Sequence, residues 1–268
     1  MNNQNKIRTA SNSPSQYTGG ITIKSAQELE AMSKAGAVVG ATLTLLKKSV
    51  TPGMTTKDLD NIAIGEITRL GAKPAFLGYQ GFPASICTSV NEEIVHGIPG
   101  NRKLKEGDIV KVDCGATVDG FIGDAAVSIP VGDVSKEASD LMDATRESLN
   151  IGVQAAIPGN RIGDIGSAIQ KYAENLGYGV VREFVGHGIG RFLHEDPQVP
   201  NYGESGKGQL LRTGMCIAIE PMLNMGGWET KILDDQWTVV TKDGSLSSHF
   251  EHTLAITEDG PRVFTTNA

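Results

Sequence analysis

The sequence predicts a mixed protein of helices and strands (α/β, of the α+β kind) built from two related halves. Three observations carry this prediction: helix signals followed by strand signals, a recurrence of that order 106 to 107 residues later, and an apolar hairpin bounded by turn residues. The 268 residues are enough for one large domain with a sizeable core. We expect a disordered tail at residues 1–20 and a single folded domain at 21–268, with halves near 22–150 and 151–268.

Two helix signals open the first half. Ser25 and Glu28 have the spacing of a capping box, and Pro52 ends a helix that runs over roughly 26–48. A second helix runs as far as Leu70, where Gly71 ends it. The residues that follow favour strands.

The turn and capping residues that begin and end the second helix recur in the second half of the chain. Pro52, Gly53, Asp58, Leu70 and Gly71 each have an identical residue 106 positions later. Two unrelated helices could match in this way simply because they use the same kinds of residue at their ends, and this alternative stays open at this point. The recurrence predicts two copies of one helix-helix-strand unit, which is too few for a solenoid.

An apolar strand that leads to a carboxylate is repeated as well. LKEGDIVKVD (104–113) matches LRTGMCIAIE (211–220) at an offset of 107, so that Asp113 corresponds to Glu220. If the two halves pack about a pseudo-twofold axis, these two acids meet at the centre of the molecule.

Residues 109–129 predict a β-hairpin, because the Asp-Gly pair at 119–120 is a strong two-residue turn signal. With that turn, Asp113 lies opposite Ala126, and Asp124 lies on the same face as Asp113, with Cβ atoms roughly 7 Å apart. A shared cation would relieve the repulsion between the two acids. The alternative is a pair of solvated acids on an exposed face.

Three further segments supply candidate ligands. His187 stands among glycines in GHGIG, which indicates close backbone approach to a ligand. Glu220 follows an apolar strand, and Glu251 lies in a strand that follows a second hairpin with an Asp-Gly turn at 243–244. Taken singly, a histidine is more often a packing residue, but a carboxylate beside an apolar strand is costly unless it is paired or bound to metal.

The bulk composition excludes several classes of protein. The net charge of −7 leaves no basic footprint for DNA and no polybasic stripe for a membrane surface. No apolar run is expected to reach transmembrane length, and the N-terminus lacks the apolar centre of a secretory signal. The three cysteines form no C-x-x-C pair, which argues against a thiolate zinc module and for a reducing compartment. We therefore expect a cytoplasmic protein with no DNA or membrane partner.

Taken together, the segments NEEIVHGIPG, KVDCG, GDAAV, GHGIGRFLHEDP, IEPM and FEHT resemble those of type I methionine aminopeptidases. The resemblance covers about residues 22–265. It implies the pita-bread fold, in which two pseudo-twofold-related halves share a curved, mainly antiparallel sheet with the helices outside. On this basis we expect residues 21–268 to be one catalytic domain.

The resemblance also implies two divalent metal ions. Asp113 would bind one ion, Asp124 and Glu251 would bridge both, and His187 and Glu220 would complete the other site. Cobalt, manganese, iron and zinc all suit this donor set.

The implied reaction removes the N-terminal methionine from peptides and nascent proteins, with a preference for a small second residue. A metal-activated bridging water attacks the first carbonyl, and the catalytic residues are His96, His194 and Glu220. The residues implied in substrate binding are Tyr79, Phe82, Cys87, His96, His194 and Trp237, with Phe76 and Leu193 as further wall positions.

Three alternatives remain open from the sequence. The first is a related pita-bread peptidase that cleaves Xaa-Pro bonds, although such enzymes usually carry a large extra N-terminal domain. The second is a non-catalytic relative that binds peptides or RNA, which the complete ligand set argues against. The third is that residues 1–20 recruit a partner such as the ribosome. We expect a monomer that acts on the N-terminal ends of nascent chains.

Overall fold

The structure, a computed structural model, describes residues 19–266. Most of the tail predicted at 1–20 therefore lies outside the described residues. The described part contains four α-helices: α1 (Ala26–Ser49), α2 (Thr56–Arg69), α3 (Lys136–Ala155) and α4 (Ile162–Asn175). It also contains fifteen strands: β1 (Lys73–Pro74), β2 (Ile86–Val90), β3 (Glu93–Val95), β4 (Ile109–Val118), β5 (Phe121–Pro130), β6 (Gly179–Val180), β7 (Gly186–Gly188), β8 (Glu195–Val199), β9 (Cys216–Ile219), β10 (Met222–Asn224), β11 (Thr230–Ile232), β12 (Val239–Thr241), β13 (Ser247–His249), β14 (His252–Thr257) and β15 (Gly260–Val263).

The predicted mixed class is confirmed, and every strand pair in the described part of the chain is antiparallel. One large sheet has β4 at its centre, with β1 and β2 on one side and β5 on the other. The second has the order β15-β14-β9-β7-β8. Two small sheets, β13-β10-β6 and β11-β12-β3, complete the strands.

A seam between β5 and β14 joins the two large sheets. The backbone N–H of Asp124 donates to the Thr253 hydroxyl at 2.9 Å, and that hydroxyl donates to the Asp124 carbonyl at 2.7 Å. The N–H of Glu251 donates to the carbonyl of Ala126 at 2.9 Å. The two sheets therefore act as one curved layer across the seam.

The repeat found in the sequence is also present in the local structure. Helices α2 and α4 begin and end 106 residues apart, as do β1 and β6. Asp58 and Asp164 each accept the N–H of the residue three positions earlier, at 2.8 and 2.7 Å, so both helices share this half of the capping box. In α2 the Thr55 hydroxyl supplies the other half. Gly107 and Gly214 both have φ of 89° just before the matching strands. Because the agreement includes strands and the glycines before them, it is more than two helices with the same kinds of residue at their ends.

The helix and hairpin predictions for the first half are confirmed. The hydroxyl of Ser25 and the carboxylate of Glu28 form the expected capping box at the start of α1. The β4–β5 hairpin turns at Asp119 and Gly120, whose φ values of 51° and 79° suit a two-residue hairpin loop. Strand β4 continues past Asp113 to Val118, as the predicted hairpin requires.

The predicted second hairpin is wrong. Strand β12 pairs with β11 and β3, whereas β13 pairs with β10. The turn at 243–244 does not bring β12 and β13 side by side. The Asp243 carboxylate instead accepts hydrogen bonds from the N–H groups of Gly227 and Ser245. The strand expected around Glu251 is also interrupted, since β13 ends at His249 and β14 begins at His252.

Helix α1 corrects the expectation that no apolar run reaches transmembrane length, because its 24 residues meet that criterion by length and composition. Half of its most apolar stretch is buried inside the protein, as in the core helix of a globular domain. It packs so closely on β5 that a Cβ atom at Gly123 would lie 2.7 Å from the Gly36 nitrogen.

Gly123→Ala is expected to lower the free energy of unfolding by about 1–3 kcal/mol, because the added methyl group would push α1 off the sheet. Gly65→Ala is the matched control, since nothing lies within 4 Å of the corresponding Cβ position. Alanine there should stabilise α2 by up to about 1 kcal/mol. Urea denaturation measures both changes, and an unaltered midpoint for Gly123→Ala would contradict the close approach of α1.

Candidate metal centre and substrate pocket

A cavity of about 160 Å³ lies beside the seam, and every residue expected in the site lines it. Its polar wall consists of the five expected metal ligands: Asp113, Asp124, His187, Glu220 and Glu251. The rest of the lining comprises Phe76, Tyr79, Gln80, Phe82, Cys87, His96, Leu193, His194 and Trp237.

The β4–β5 hairpin brings the two aspartates together. Asp113 pairs with Ala126, and Gly115 pairs with Asp124, so the predicted register is confirmed. Asp113 also lies opposite Cys87 of β2, which brings a pocket residue beside it. Because the seam hydrogen bonds hold the backbone of Asp124 from both sides, its carboxylate is fixed relative to the second sheet.

The two glutamates occupy breaks between strands. Glu220 lies between β9 and β10, where Pro221 lacks an N–H and cannot continue the ladder. The Asn201 side chain donates to the Glu220 carbonyl at 3.0 Å and holds this break. Glu251 lies between β13 and β14, and its N–H donates to Ala126 across the seam.

His187 lies in β7 with 7% of its surface exposed. Its Nδ1 lies 2.9 Å from the Gly188 carbonyl, which can only accept, so Nδ1 carries the proton and Nε2 keeps a free lone pair. Nε2 lies 3.6 Å from Oε1 of Glu220. Ligand atoms of Asp124, His187 and Glu251 all lie within 4.8 Å of one another, a separation at which one ion could contact all three.

The glycines around His187 serve packing between strands, which corrects the expectation that they admit a ligand. A Cβ atom at Gly186 would collide with the Ala218 carbonyl, and one at Gly188 would collide with the Asp196 carbonyl. These positions require glycine because β7 is held closely between β8 and β9.

The electrostatics of the polar wall fit a divalent cation. Desolvation raises the pKa of Asp113 to about 7, and desolvation with repulsion between the acids raises the pKa values of Asp124, Glu220 and Glu251 well above their ordinary range. Desolvation lowers the pKa of His187 well below its ordinary range, so the imidazole is neutral and can act as a ligand.

Buried oxygens without a partner mark where such a cation would sit. Oδ1 of Asp113, Oδ1 of Asp124 and Oε1 of Glu251 are buried and accept no hydrogen bond within the described residues. An unsatisfied buried carboxylate oxygen is costly, and a metal ion would satisfy it. Four carboxylates and one imidazole suit Mn, Fe, Co or Zn.

Aromatic and apolar side chains form the remaining wall. Phe82 and Trp237 meet edge to face with ring centroids 5.1 Å apart. Phe76 is buried against Gly115, where a Cβ atom would lie 2.6 Å from the phenylalanine ring. Leu193 is buried as well. The structure thus brings both further wall positions into the cavity.

The two histidines expected beside the substrate both line the cavity. Nδ1 of His194 lies 2.7 Å from the Tyr79 hydroxyl, and its ring centroid is 4.3 Å from that of His187. His96, with φ of 61°, packs its ring edge to face on Phe184 at 5.5 Å. Desolvation by the surrounding protein lowers the pKa values of His96 and His194 to about 4, so both are neutral at pH 7.

Sequence reasoning missed two residues of the site. Gln80 lines the cavity with an unusual φ of 50°. His249 is 1% exposed, and its Nε2 lies 3.9 Å from Oε2 of Glu220. Neither ring nitrogen of His249 has a hydrogen-bond partner within residues 19–266. Its position two residues before Glu251 was the one available signal.

Comparison with known proteins agrees with this geometry. The family model of metallopeptidase family M24 matches residues 30–258. A methionine aminopeptidase of Clostridium acetobutylicum is 53% identical over 246 residues, which cover 91% of this chain and 98% of that protein. Methionine aminopeptidase 1 of Bacillus subtilis is 53% identical over 245 residues, with 91% and 99% covered.

Solved structures lead to the same family. The methionine aminopeptidase of Rickettsia prowazekii superposes with a TM-score of 0.91 at 43% identity, covering 92% of this chain and all of that one. A prolidase of Pyrococcus furiosus shares only the fold, with a TM-score of 0.74 at 23% identity and 66% of that chain covered. The chain therefore belongs to metallopeptidase family M24, and within that family to the methionine aminopeptidases.

Proposed function

We propose that the enzyme removes the N-terminal methionine from peptides and nascent proteins, with a preference for a small second residue. The observation that carries this proposal is the cavity itself, in which the five-donor polar wall faces a small apolar pocket. The similarity to methionine aminopeptidases, at up to 53% identity over nearly full length, favours this function over cleavage of Xaa-Pro bonds. The complete donor set disfavours a non-catalytic binding protein.

Family membership implies divalent metal ions, and we propose that there are two. Asp113 would hold one ion, Asp124 and Glu251 would bridge both, and His187 and Glu220 would hold the other. The proximity of ligand atoms from Asp124, His187 and Glu251 supports a shared centre. When bound, the ions would lower the pKa of a water molecule and polarise the scissile carbonyl.

Glu220 is our proposed proton carrier. Its carboxylate lies between the imidazoles of His187 and His249, and the backbone around it is fixed by Asn201 and Pro221. A carboxylate held this firmly can take a proton from water and return it to the departing amine.

His194 would donate a hydrogen bond to the oxygen of the tetrahedral intermediate. If the Tyr79 hydroxyl donates to Nδ1, the proton of the neutral ring must sit on Nε2, where it can be donated. His96, which is also neutral, would contact the scissile amide. Donors placed in advance need no reorganisation as negative charge develops on the substrate.

The apolar wall would select methionine. An unbranched thioether fits between aromatic rings such as those of Phe82 and Trp237 and makes favourable sulfur–aromatic contacts. Tyr79 and Cys87 would close the sides of this pocket, with Phe76 and Leu193 as further walls. The free α-amino group would bind beside Asp113, which would restrict cleavage to chain ends.

Several broader features belong to the same proposal. Residues 21–268 would act as one catalytic domain, because the polar wall draws on both halves across the seam. All five proposed ligands come from one chain, so the site needs no second subunit, and we propose that the enzyme acts as a monomer. Nascent substrates would place the enzyme in the cytoplasm near the ribosome.

The test of the function is release of free methionine from Met-Ala-Ser by protein loaded with Mn²⁺ or Co²⁺. Asp124→Ala should abolish release, because the change removes a ligand shared by both ions. Asp143→Ala, on the exposed face of α3, is the matched control and should keep full activity. Loaded protein that is inert on this and other Met-X peptides would refute the proposal, and full activity of Asp124→Ala would refute the bridging role.

His194→Ala should keep its metal content and lose kcat by roughly 10²- to 10³-fold, as expected when a donor to a developing oxyanion is removed. Tyr79→Phe, which keeps the ring and removes the hydroxyl beside Nδ1, should lose less. Steady-state kinetics and elemental analysis of the same samples measure both quantities. Loss of metal from His194→Ala would show that this histidine is a ligand.

Metal binding at pH 7 should release protons. In the metal-free protein the pKa of Asp113 is raised to about 7 and those of the other three acids are raised well above their ordinary range, whereas bound ligands must be ionised. Affinity for Mn²⁺ should therefore increase with pH across neutrality. Calorimetric titration in buffers of different ionisation enthalpy measures the release. Asp143→Asn should match the unmodified protein, and heats that do not depend on the buffer would contradict the prediction.

A further inference from the structure

The loop between β7 and β8 carries two cavity residues, Leu193 and His194. The first residue of β8, Glu195, follows directly and does not line the cavity. At 6% exposure it is one of the most buried acids outside the polar wall. Whatever fixes this carboxylate therefore also fixes the backbone that presents His194.

The Glu195 carboxylate fastens the loop to the segment before α1. One oxygen, Oε1, accepts the N–H of Phe192 at 3.2 Å, within the loop itself. The other, Oε2, accepts from the Lys24 ammonium at 2.8 Å and from the Thr22 hydroxyl at 2.8 Å. A single side chain thus connects the loop between β7 and β8 to residues that are more than 170 positions away in the sequence.

Lys24 is held as firmly as its partner. The residue is 8% exposed, and its backbone N–H donates to the Gly214 carbonyl at 2.8 Å. Its ammonium also donates to the Thr22 hydroxyl. The lysine lies against Gly190, where a Cβ atom would be 2.7 Å from Cε. There is consequently little space for the ammonium to move away from Glu195.

The location of this ion pair argues for more than a contribution to stability. A buried ion pair is often no better for stability than apolar residues of the same volume, because desolvation offsets the attraction. Here Glu195 directly follows His194 in the sequence, and Nδ1 of His194 must stay beside the Tyr79 hydroxyl to keep the ring oriented. A shift of the Glu195 backbone would move the ring and the Leu193 wall together.

We propose that Lys24 and Glu195 form a positioning pair that holds His194 and Leu193 in their working orientation. The segment Thr22–Lys24 thereby helps to position the catalytic residue, although none of its residues lines the cavity. The inference rests on the role proposed above for His194.

The test compares Lys24→Met, Glu195→Gln and the double variant. Each single change leaves one buried group without its partner, so both should lower the melting temperature and kcat. The double variant removes both charges while it keeps the approximate shapes, so its melting temperature should recover. Its kcat for Met-Ala-Ser should stay about tenfold or more below that of the unmodified protein, because orientation is lost. KM and metal content should change much less.

A second comparison separates positioning from a purely structural role. In a His194→Ala background the double change should lower kcat far less than in the unmodified protein, since there is no ring left to orient. Lys136→Met, which breaks an exposed ion pair on α3, is the matched control and should leave kcat unchanged. Thr22→Val removes the hydroxyl that donates to Glu195 and accepts from Lys24 but keeps both charges, so it should give a smaller loss that Thr22→Ser restores. This series also serves if the double variant fails to fold.

The outcomes are distinguishable. Full kcat in the folded double variant would overturn the positioning role, as would equal fold-losses with and without His194. If His194→Ala alone retained full kcat, the role proposed for that histidine would fail, and this inference would fail with it. Activity that falls only in step with the melting temperature would assign the pair to stability alone.

Discussion

The structure depends on one electrostatic constraint, which is that four desolvated carboxylates and a neutral imidazole share one cavity. Desolvation raises the pKa values of all four acids, and repulsion between the acids adds to the rise for Asp124, Glu220 and Glu251. Three of their buried oxygens have no hydrogen-bond partner among residues 19–266. Such a cluster is costly by itself and becomes favourable when divalent cations supply the missing charge. The surrounding fold can be understood as a frame that holds these acids close together.

The frame is a duplicated unit whose two copies contribute unequally. Asp113 lies within a continuous ten-residue strand, whereas its counterpart Glu220 lies at a break that Pro221 enforces. His187 has no counterpart in the first half. The symmetry therefore brings the equivalent strands to a common centre. Local differences between the two halves then set the orientation of individual side chains. The buried Lys24–Glu195 pair is another such difference, because it anchors one loop on one side of the cavity.

Much of the fold and site could be predicted from the sequence because the deciding signals are local. The Asp119-Gly120 turn sets the register that places Asp113 and Asp124 on one face, and this prediction is confirmed. The Asp-Gly pair at 243–244 led to the wrong prediction of a second hairpin. The Asp243 carboxylate accepts a hydrogen bond from the N–H of Gly227, and no local sequence pattern reveals this contact. His249 was missed for the same physical reason, because its relation to Glu220 exists only after β10 and β13 pair.

The seam has a consequence for how the molecule is assembled. Asp124 and Thr253, whose two hydrogen bonds join the sheets, are 129 residues apart in the sequence. Contacts of such long range form slowly, because the intervening chain must be ordered before they are gained. The first half can form its β4–β5 hairpin early, and this hairpin brings two mutually repelling aspartates together. The contacts with β14 that complete their surroundings form only later. The cavity is therefore completed late in folding, and a partly folded chain would lack both its ion-binding capacity and its activity.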